Sequence, residues 1–255
     1  MEKNLSDNGR RLFRLPMFLV LLLVSGTFSC GKSGGDCFKS SGETITETRN
    51  VTDFNTIILS ENTDVILTQD TLNSVTVEAG KNIISGITTT VTNGQLAIGN
   101  SNKCNWVRSY DKPLNVYVHV KQLKKLFYLA AGNVTSTDTL RSDTLQIDIG
   151  GGCGNITLSI HVTQGYVYEH LGTADVYLNG IAKFNSVSSG DFGLLQLKDL
   201  STDFTFITNY GTNDVYVNVR QYLDARIQSI GNIYYTGHPD SVFTHISGAG
   251  QVIEF

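Results

Sequence analysis

Residues 213–235 of the chain read NDVYVNVRQYLDARIQSIGNIYY. Within this stretch, Asn213-Asp214-Val215-Tyr216 is followed 18 positions later by the similar Gly231-Asn232-Ile233-Tyr234. Glycine and asparagine accept left-handed backbone angles, Asn and Asp side chains bond to nearby backbone groups, and β-branched residues favour strands. The stretch therefore predicts the same local structure twice, a bend followed by a short strand.

The same pattern continues through the second half of the chain. A small residue, in most copies an Asn or Asp, and an apolar residue recur in seven tripeptides: Gly132-Asn133-Val134, Gly154-Asn155-Ile156, Ala174-Asp175-Val176, Gly193-Leu194-Leu195, Asn213-Asp214-Val215, Gly231-Asn232-Ile233 and Gly250-Gln251-Val252. Their third residues are separated by 22, 20, 19, 20, 18 and 19 positions. One such unit cannot bury its own apolar side, but a stack of units can.

This repeat predicts an all-β fold, a right-handed parallel β-helix (β-solenoid) with coils of about 20 residues. Antiparallel sandwiches and propellers are the alternatives, although a propeller blade needs a period of about 40 residues. Before residue 121 the repeat is weaker. We therefore expect irregular N-terminal coils at 45–120 and regular repeats at 121–255.

Composition agrees with a folded β protein. Of the 255 residues, 40% are hydrophobic and 16% are charged, which is typical of a globular chain. There are 25 glycines but only 3 prolines, and turn-forming and β-branched residues are abundant. The formal net charge is -4 and no basic cluster recurs, so we expect no nucleic-acid binding.

The N-terminus has the layout of a secretory signal peptide. Basic residues precede an apolar run at 15–24, which is too short to span a bilayer as a helix. Small and polar residues then lead to Cys30, and a cysteine in that place resembles the cleavage site of bacterial lipoproteins. We predict a signal peptide at 1–29 and a lipidated tether at 30–44, with lipid on Cys30. Ordinary secretion with cleavage near Ser29 is the alternative.

Three cysteines remain if Cys30 carries lipid. An exported protein meets oxidising conditions, which favours one disulfide among them. Cys37 lies just before the domain and Cys104 lies in a polar segment, so we favour a Cys37–Cys104 bond that ties the tether to the body. The alternative is that Cys37, Cys104 and Cys153 are all free thiols.

The lipoprotein-like start, the Gly-Asn-Ile and Gly-Ala-Gly repeats and the segment Asp53-Phe54-Asn55-Thr56-Ile57 resemble a bacterial family. This family is called "putative auto-transporter adhesin, head GIN domain", and the resemblance covers residues 45–250. It implies β-helical structure and a cell-envelope location in Bacteroidetes, at the outer membrane on its surface or periplasmic side. The resemblance implies no catalytic residues.

Candidate groups for catalysis or metal binding are few. No histidine pair has a metal-ligand spacing, so we expect no metal and no cofactor. Asp175, Asp191 and Asp214 could be aligned by adjacent coils, as carboxylates are in β-helical polysaccharide lyases and hydrolases. Their positions at bends give a structural reason for all three, and crowding between glycines gives one for Cys153. We assign no catalytic residue.

Tyrosines follow the apolar residue in three repeats, at Tyr177, Tyr216 and Tyr234. Because side chains alternate along a strand, these should lie in one row on an outer face, with Gln196 as a polar gap. An aromatic row suits contact with a glycan or a protein, although tyrosine also simply favours strands.

The sequence thus predicts a non-catalytic lipoprotein that presents a solenoid surface for adhesion to a glycan or protein. A carbohydrate-active β-helix enzyme and a purely structural envelope protein are the alternatives. The membrane is the partner of the lipid anchor.

If Cys30 is the lipidated residue, Cys30→Ser should move the protein from the membrane fraction to the soluble fraction. Several acyl chains are needed for firm anchoring, so their loss should release most of the protein. Fractionation and mass measurement of the mature N-terminus test this. Unchanged membrane association with no lipid mass would contradict it.

Overall fold

A computed structural model describes residues 40–103 and 113–255 of the chain. The described part is nearly all β, with one 3-10 turn at Ile84–Gly86 and no α-helix. The sixteen strands are β1 (Thr44–Arg49), β2 (Thr56–Glu61), β3 (Asp64–Gln69), β4 (Ser74–Gly80), β5 (Ile87–Thr92), β6 (Gln95–Asn100), β7 (Asn115–Val120), β8 (Lys125–Ala130), β9 (Val134–Ile149), β10 (Asn155–Glu169), β11 (Asp175–Ser189), β12 (Leu195–Asn209), β13 (Val215–Ile227), β14 (Ile233–Thr236), β15 (Ser241–Ile246) and β16 (Val252–Glu254). Stacked parallel coils form a solenoid, so the predicted fold class is confirmed.

The regular coils are built from the long strands β9 to β13, which pair in parallel with their neighbours. Each strand serves two faces. The first half of each strand pairs with the first halves of its neighbours, and the second half pairs with their second halves. Between the two halves, pairing is interrupted at Thr163, Lys183 and Asp203, where the chain bends. We call the row formed by the first halves face A and the row formed by the second halves face B. At the far end, β14 and β16 extend face A and β15 extends face B.

The N-terminal strands stack out of chain order. In face A, β3 lies between β7 and β9, and in face B, β2 lies between β6 and β8. Strand β1 pairs with β4, β4 with β7, and β5 with β6, all antiparallel. Because spatial neighbours here are far apart in sequence, no constant spacing links them, which is why the repeat is weak in this region.

The core fills the space between the two faces. The apolar residues of six of the seven repeats form an inward, fully buried column, which holds Val134, Ile156, Val176, Leu195, Val215 and Ile233. Val252, in the last repeat, is half-buried. Parallel pairing joins the members of this column, including Val215 with Ile233. The predicted register of the repeats is therefore correct.

The Asn or Asp of the repeat forms a ladder between coils. Its side-chain oxygen accepts the backbone N–H of the equivalent residue in the next coil. These bonds join Asp64 to Asn133 (2.7 Å), Asn133 to Asn155 (3.1 Å), Asp175 to Leu194 (2.9 Å), Asp214 to Asn232 (2.8 Å) and Asn232 to Gln251 (2.9 Å). The side chain thus pairs an amide at the start of the strand that would otherwise lack a partner.

The glycine of the repeat allows close packing of coils and does not, as its residue type suggested, form a left-handed bend. We expected left-handed backbone angles at these bends, but the repeat glycines are not among the residues with positive φ. Instead, a Cβ at Gly154 would collide with the carbonyl oxygen of Gly132, and one at Gly250 with that of Gly231. Glycine is needed here because successive coils approach closely at this edge.

Buried polar side chains stabilise the turns between face B and face A. The hydroxyl of Tyr128 donates to the carbonyl of Gly132 (2.6 Å) and accepts the N–H of Gly154 (3.0 Å). Two coils further along, Oε1 of Glu169 accepts the N–H of Gly193 (2.5 Å). Burial raises the pKa of Tyr128 to about 12 and raises the pKa of Glu169 above its ordinary value of 4.5.

Val215→Asp should destabilise the solenoid by several kcal/mol, because it places an unpaired charge between the two faces. Chemical unfolding measures the loss. Thr212→Asp, at an exposed position in the adjacent turn, is the matched control and should change stability little. Equal effects of the two substitutions would contradict the inward register of Val215.

Glu169→Gln should remove a pH dependence of stability. Because the pKa of Glu169 is raised in the fold, the folded state binds the proton more tightly than the unfolded chain. Wild-type stability therefore falls as the pH rises from the unfolded value of 4.5 through the folded value, and it stays reduced above it.

Glutamine can still accept the Gly193 N–H and carries no charge. Relative to the wild type, the variant should therefore become more stable as the pH rises. Urea unfolding at low and at high pH measures this difference. Glu43→Gln, at an exposed position, is the control and should show no such change. A Glu169→Gln difference that is constant with pH would contradict the assignment.

Candidate binding surfaces

The tyrosines predicted as a row lie on the outer side of face A. Strand pairing places Tyr177 beside Gln196, Gln196 beside Tyr216, and Tyr216 beside Tyr234. The rings of Tyr216 and Tyr234 stack with centroids 4.8 Å apart and planes at 8°. Phe255 lies edge-on against both, at 5.9 and 6.2 Å. The three tyrosines thus share one row with the expected gap at Gln196, and two of them are largely occupied with each other.

A larger aromatic surface lies on the outer side of face B, and the sequence analysis did not find it. Strands β10 to β12 present nine outward positions there, between inward residues that are buried. These positions hold Gln164, Tyr166, Tyr168, Phe184, Ser186, Ser188, Phe204, Phe206 and Thr208. We call this set the aromatic patch. Five of its nine residues are aromatic and none is charged.

Four of the five rings of the patch, all except Phe204, form a continuous series across the coils. Centroids are 6.0 Å apart between Tyr168 and Tyr166, 5.9 Å between Tyr166 and Phe184, and 5.6 Å between Phe184 and Phe206. The series then leaves the patch and continues along face B to Tyr222 at 5.5 Å and Phe243 at 5.3 Å. Adjacent planes are tilted by 33–55°. Tilted rings cover each other less than stacked rings do, and Phe206 within the series is 40% exposed.

Ion pairs flank the patch on both sides along the sheet. On one side, Lys125 Nζ is 2.5 Å from Asp148 Oδ2, and this carboxylate also accepts from Gln146 Nε2 (2.8 Å). On the other side, Arg226 donates two hydrogen bonds to Asp224, at 3.0 and 3.2 Å. Both carboxylates are almost fully buried. The charges on the face B halves of the two strands that border the patch are therefore already compensated.

The patch follows from alternation more than from the repeat period. Tyr166 and Tyr168 are two positions apart, as are Phe204 and Phe206, so each pair points to one side of a strand. That signal was present in the sequence. The link between coils was harder to recognise, because the patch residues that pair are 20 positions apart but differ in type from coil to coil, as in the row Tyr166, Ser186 and Phe206.

The carboxylates considered for catalysis have structural partners. Asp175 and Asp214 accept backbone N–H groups of the next coil, as described above, and Asp191 Oδ2 accepts the N–H of Gly172 at 2.7 Å. Within residues 40–103 and 113–255, no cluster of three or more His, Cys, Asp or Glu side chains could hold a metal ion.

A groove of about 510 Å³ runs along the bend between the two faces. It carries both signs of charge, since Arg141, Lys183, Asp143 and Asp203 all line it. Arg141 donates to Nδ1 of His161 at 2.9 Å, and Arg220 binds Asp203 at 2.6 Å from outside the lining. This mixed lining favours no single class of ligand.

The remaining residues singled out from the sequence are cysteines. Cys153 is exposed and forms no disulfide with the described residues. Cys30, Cys37 and Cys104 lie outside the described ranges, as does the signal peptide. In the part of the chain that is described, no helix is long and apolar enough to cross a membrane.

Solved structures share this fold. A "putative adhesin" from Bacteroides fragilis superposes with a TM-score of 0.77 at 21% identity, over 84% of this chain and 97% of that one. A "putative adhesin" from Parabacteroides distasonis gives 0.64 at 19% identity, over 84% and 98%. A "putative lipid binding protein" from the same species gives 0.64 at 18% identity, over 85% and 98%. At these identities the likeness establishes the fold alone.

No curated protein matches the sequence significantly. A family model does match it, over residues 53–239, which is most of the chain. This agrees with the resemblance of the repeats and of the Asp53-Phe54-Asn55-Thr56-Ile57 segment. The chain belongs to the family described as "Putative auto-transporter adhesin, head GIN domain".

Proposed function

We propose that this protein is a non-catalytic adhesin of the bacterial cell envelope, and that the aromatic patch of face B is its main contact surface. Membership of a family named for adhesion supports the first part, and the Bacteroides and Parabacteroides origin of similar structures supports the location. The lipid on Cys30 is part of the proposal and rests on the sequence at the N-terminus.

The aromatic patch is the observation that carries the proposal. The centres of binding interfaces are depleted in charge and enriched in aromatic residues, and the patch has both properties. Phe206 keeps 40% of its surface exposed, and Phe243, further along the same series of rings, keeps 52%. Exposed apolar surface of this kind costs free energy in water, and a bound partner would recover it.

The tyrosine row of face A is a second, smaller contact surface in this proposal. Tyr177 is 38% exposed, whereas Tyr216 and Tyr234 share their faces and are edged by Phe255. The row has three rings against five in the aromatic patch, and two of the three are stacked on each other. It is useful as a matched comparison because it also consists of outward aromatic residues, on the same and neighbouring coils.

The enzyme alternative needs carboxylates that are free to act on a substrate. Asp175, Asp191 and Asp214 each bind a backbone amide that the stack of coils requires, which favours a structural role for them. A purely structural envelope protein would need no exposed aromatic patch. That alternative predicts no loss of adhesion when the patch is changed.

Bacteria that display the full-length protein test the proposal. Tyr166→Ser, Phe184→Ser and Phe206→Ser together should reduce adhesion to immobilised host glycoproteins and matrix proteins by at least about tenfold, since aromatic anchors dominate contact energy. The row variant, with Tyr177→Ser, Tyr216→Ser and Tyr234→Ser, should lose much less. Thermal unfolding of both variants checks that the solenoid is intact.

Equal adhesion of the wild type and both folded variants would favour the structural alternative. Loss of adhesion in the row variant alone would move the contact surface to face A. Either result would contradict the patch as the main surface.

A further inference from the structure

We infer that the aromatic patch binds an uncharged glycan chain laid across the coils. This inference rests on the proposed function and names its ligand class. A sugar ring has faces made of C–H groups and a rim of hydroxyl groups. A matching surface needs accessible aromatic faces with uncharged hydrogen-bonding groups between them.

The patch has this composition. Between its rings lie the hydroxyls of Ser186, Ser188 and Thr208, which can donate to and accept from a sugar hydroxyl. Tyr166 and Tyr168 add phenolic hydroxyls at the same surface. The Tyr166 hydroxyl is 3.2 Å from Oε1 of Gln164 and donates to it, which holds that ring in place.

The orientation of the rings separates this surface from the tyrosine row. Rings in the patch are tilted to one another by 34–55°, whereas Tyr216 and Tyr234 are nearly parallel and stacked. A stacked ring has already used one face on its neighbour. The tilted rings of the patch overlap less, and Phe206, which is 40% exposed, has ring area to offer a ligand.

The absence of charge selects an uncharged ligand. Acidic glycans are bound by Arg or Lys side chains that are free to pair with a carboxylate or sulfate. The cations that flank the patch along the sheet are engaged, Lys125 with Asp148 and Arg226 with Asp224. One further cation lies close to the patch in the chain: Lys183 precedes Phe184, and it lines the groove at the bend.

The series of rings also sets the length of the ligand. Within the patch it passes from Tyr168 on β10 to Phe206 on β12, which is two steps between paired strands. At about 4.8 Å a step, the rings of the patch extend over roughly 10 Å along the solenoid axis. More than one sugar unit can lie on such a surface, so an oligosaccharide should bind more tightly than a monosaccharide.

The test uses the full-length Cys30→Ser chain, so that no acyl chain contributes to binding. The probes are dextran, mannan, xyloglucan and a mixed-linkage β-glucan as uncharged glycans, heparin and polygalacturonate as acidic ones, and phosphatidylcholine vesicles. A glycan array and calorimetry measure binding at low and high salt. We expect binding to at least one uncharged glycan, with little effect of salt and tighter binding of longer fragments.

Phe184→Ser should weaken that binding at least tenfold, and Phe192→Ser, at an exposed turn position outside both contact surfaces, should leave it unchanged. Binding of the acidic polymers alone, with strong salt dependence, would overturn the inference, and so would binding of the vesicles alone. If no glycan binds but adhesion of whole bacteria still depends on the patch, the proposed function stands and its ligand is a protein. If adhesion does not depend on the patch, the proposed function fails first.

Discussion

Backbone pairing between successive coils is the constraint on which the rest of the structure depends. A single coil cannot bury its inward apolar residues or satisfy its own backbone amides, so each coil is stable only against its neighbours. The Asn and Asp ladder is an example, because even the amide just before a strand is paired by a side chain of a neighbouring coil. Glycines at the same edge let the coils approach closely enough for that pairing.

The stack also determines which types of residue can occupy inward positions. Most inward positions are apolar, but the column at the turn edge holds Tyr128, Glu169 and Asn209, all buried. Each binds backbone groups of a turn, and Asn209 does so through both its oxygen and its nitrogen. These side chains are polar because backbone groups of the turns point inward and need partners. One of them, Glu169, is a titratable group inside the fold, away from the outer surfaces.

Outward positions are under no such constraint, and a parallel stack aligns them in columns. When similar residues occupy the same outward position in each coil, they therefore form a row across the whole face. Face A carries a tyrosine row interrupted by Gln196, and face B carries the aromatic patch between two ion pairs. A flat surface with repeated rings suits contact with an extended partner, which is the physical basis for an adhesive function.

The sequence alone determined the solenoid, the inward apolar column and the tyrosine row, because a period of 18–22 residues maps directly onto the pairing of one coil with the next. The tertiary structure decided three other things. The order of β2, β3, β7 and β8 depends on pairing between distant segments, and the role of the repeat glycines depends on how closely coils approach. The aromatic patch lies in rows whose paired residues are 20 positions apart but differ in type from coil to coil, so no recurring residue in the sequence marks the rings that become neighbours.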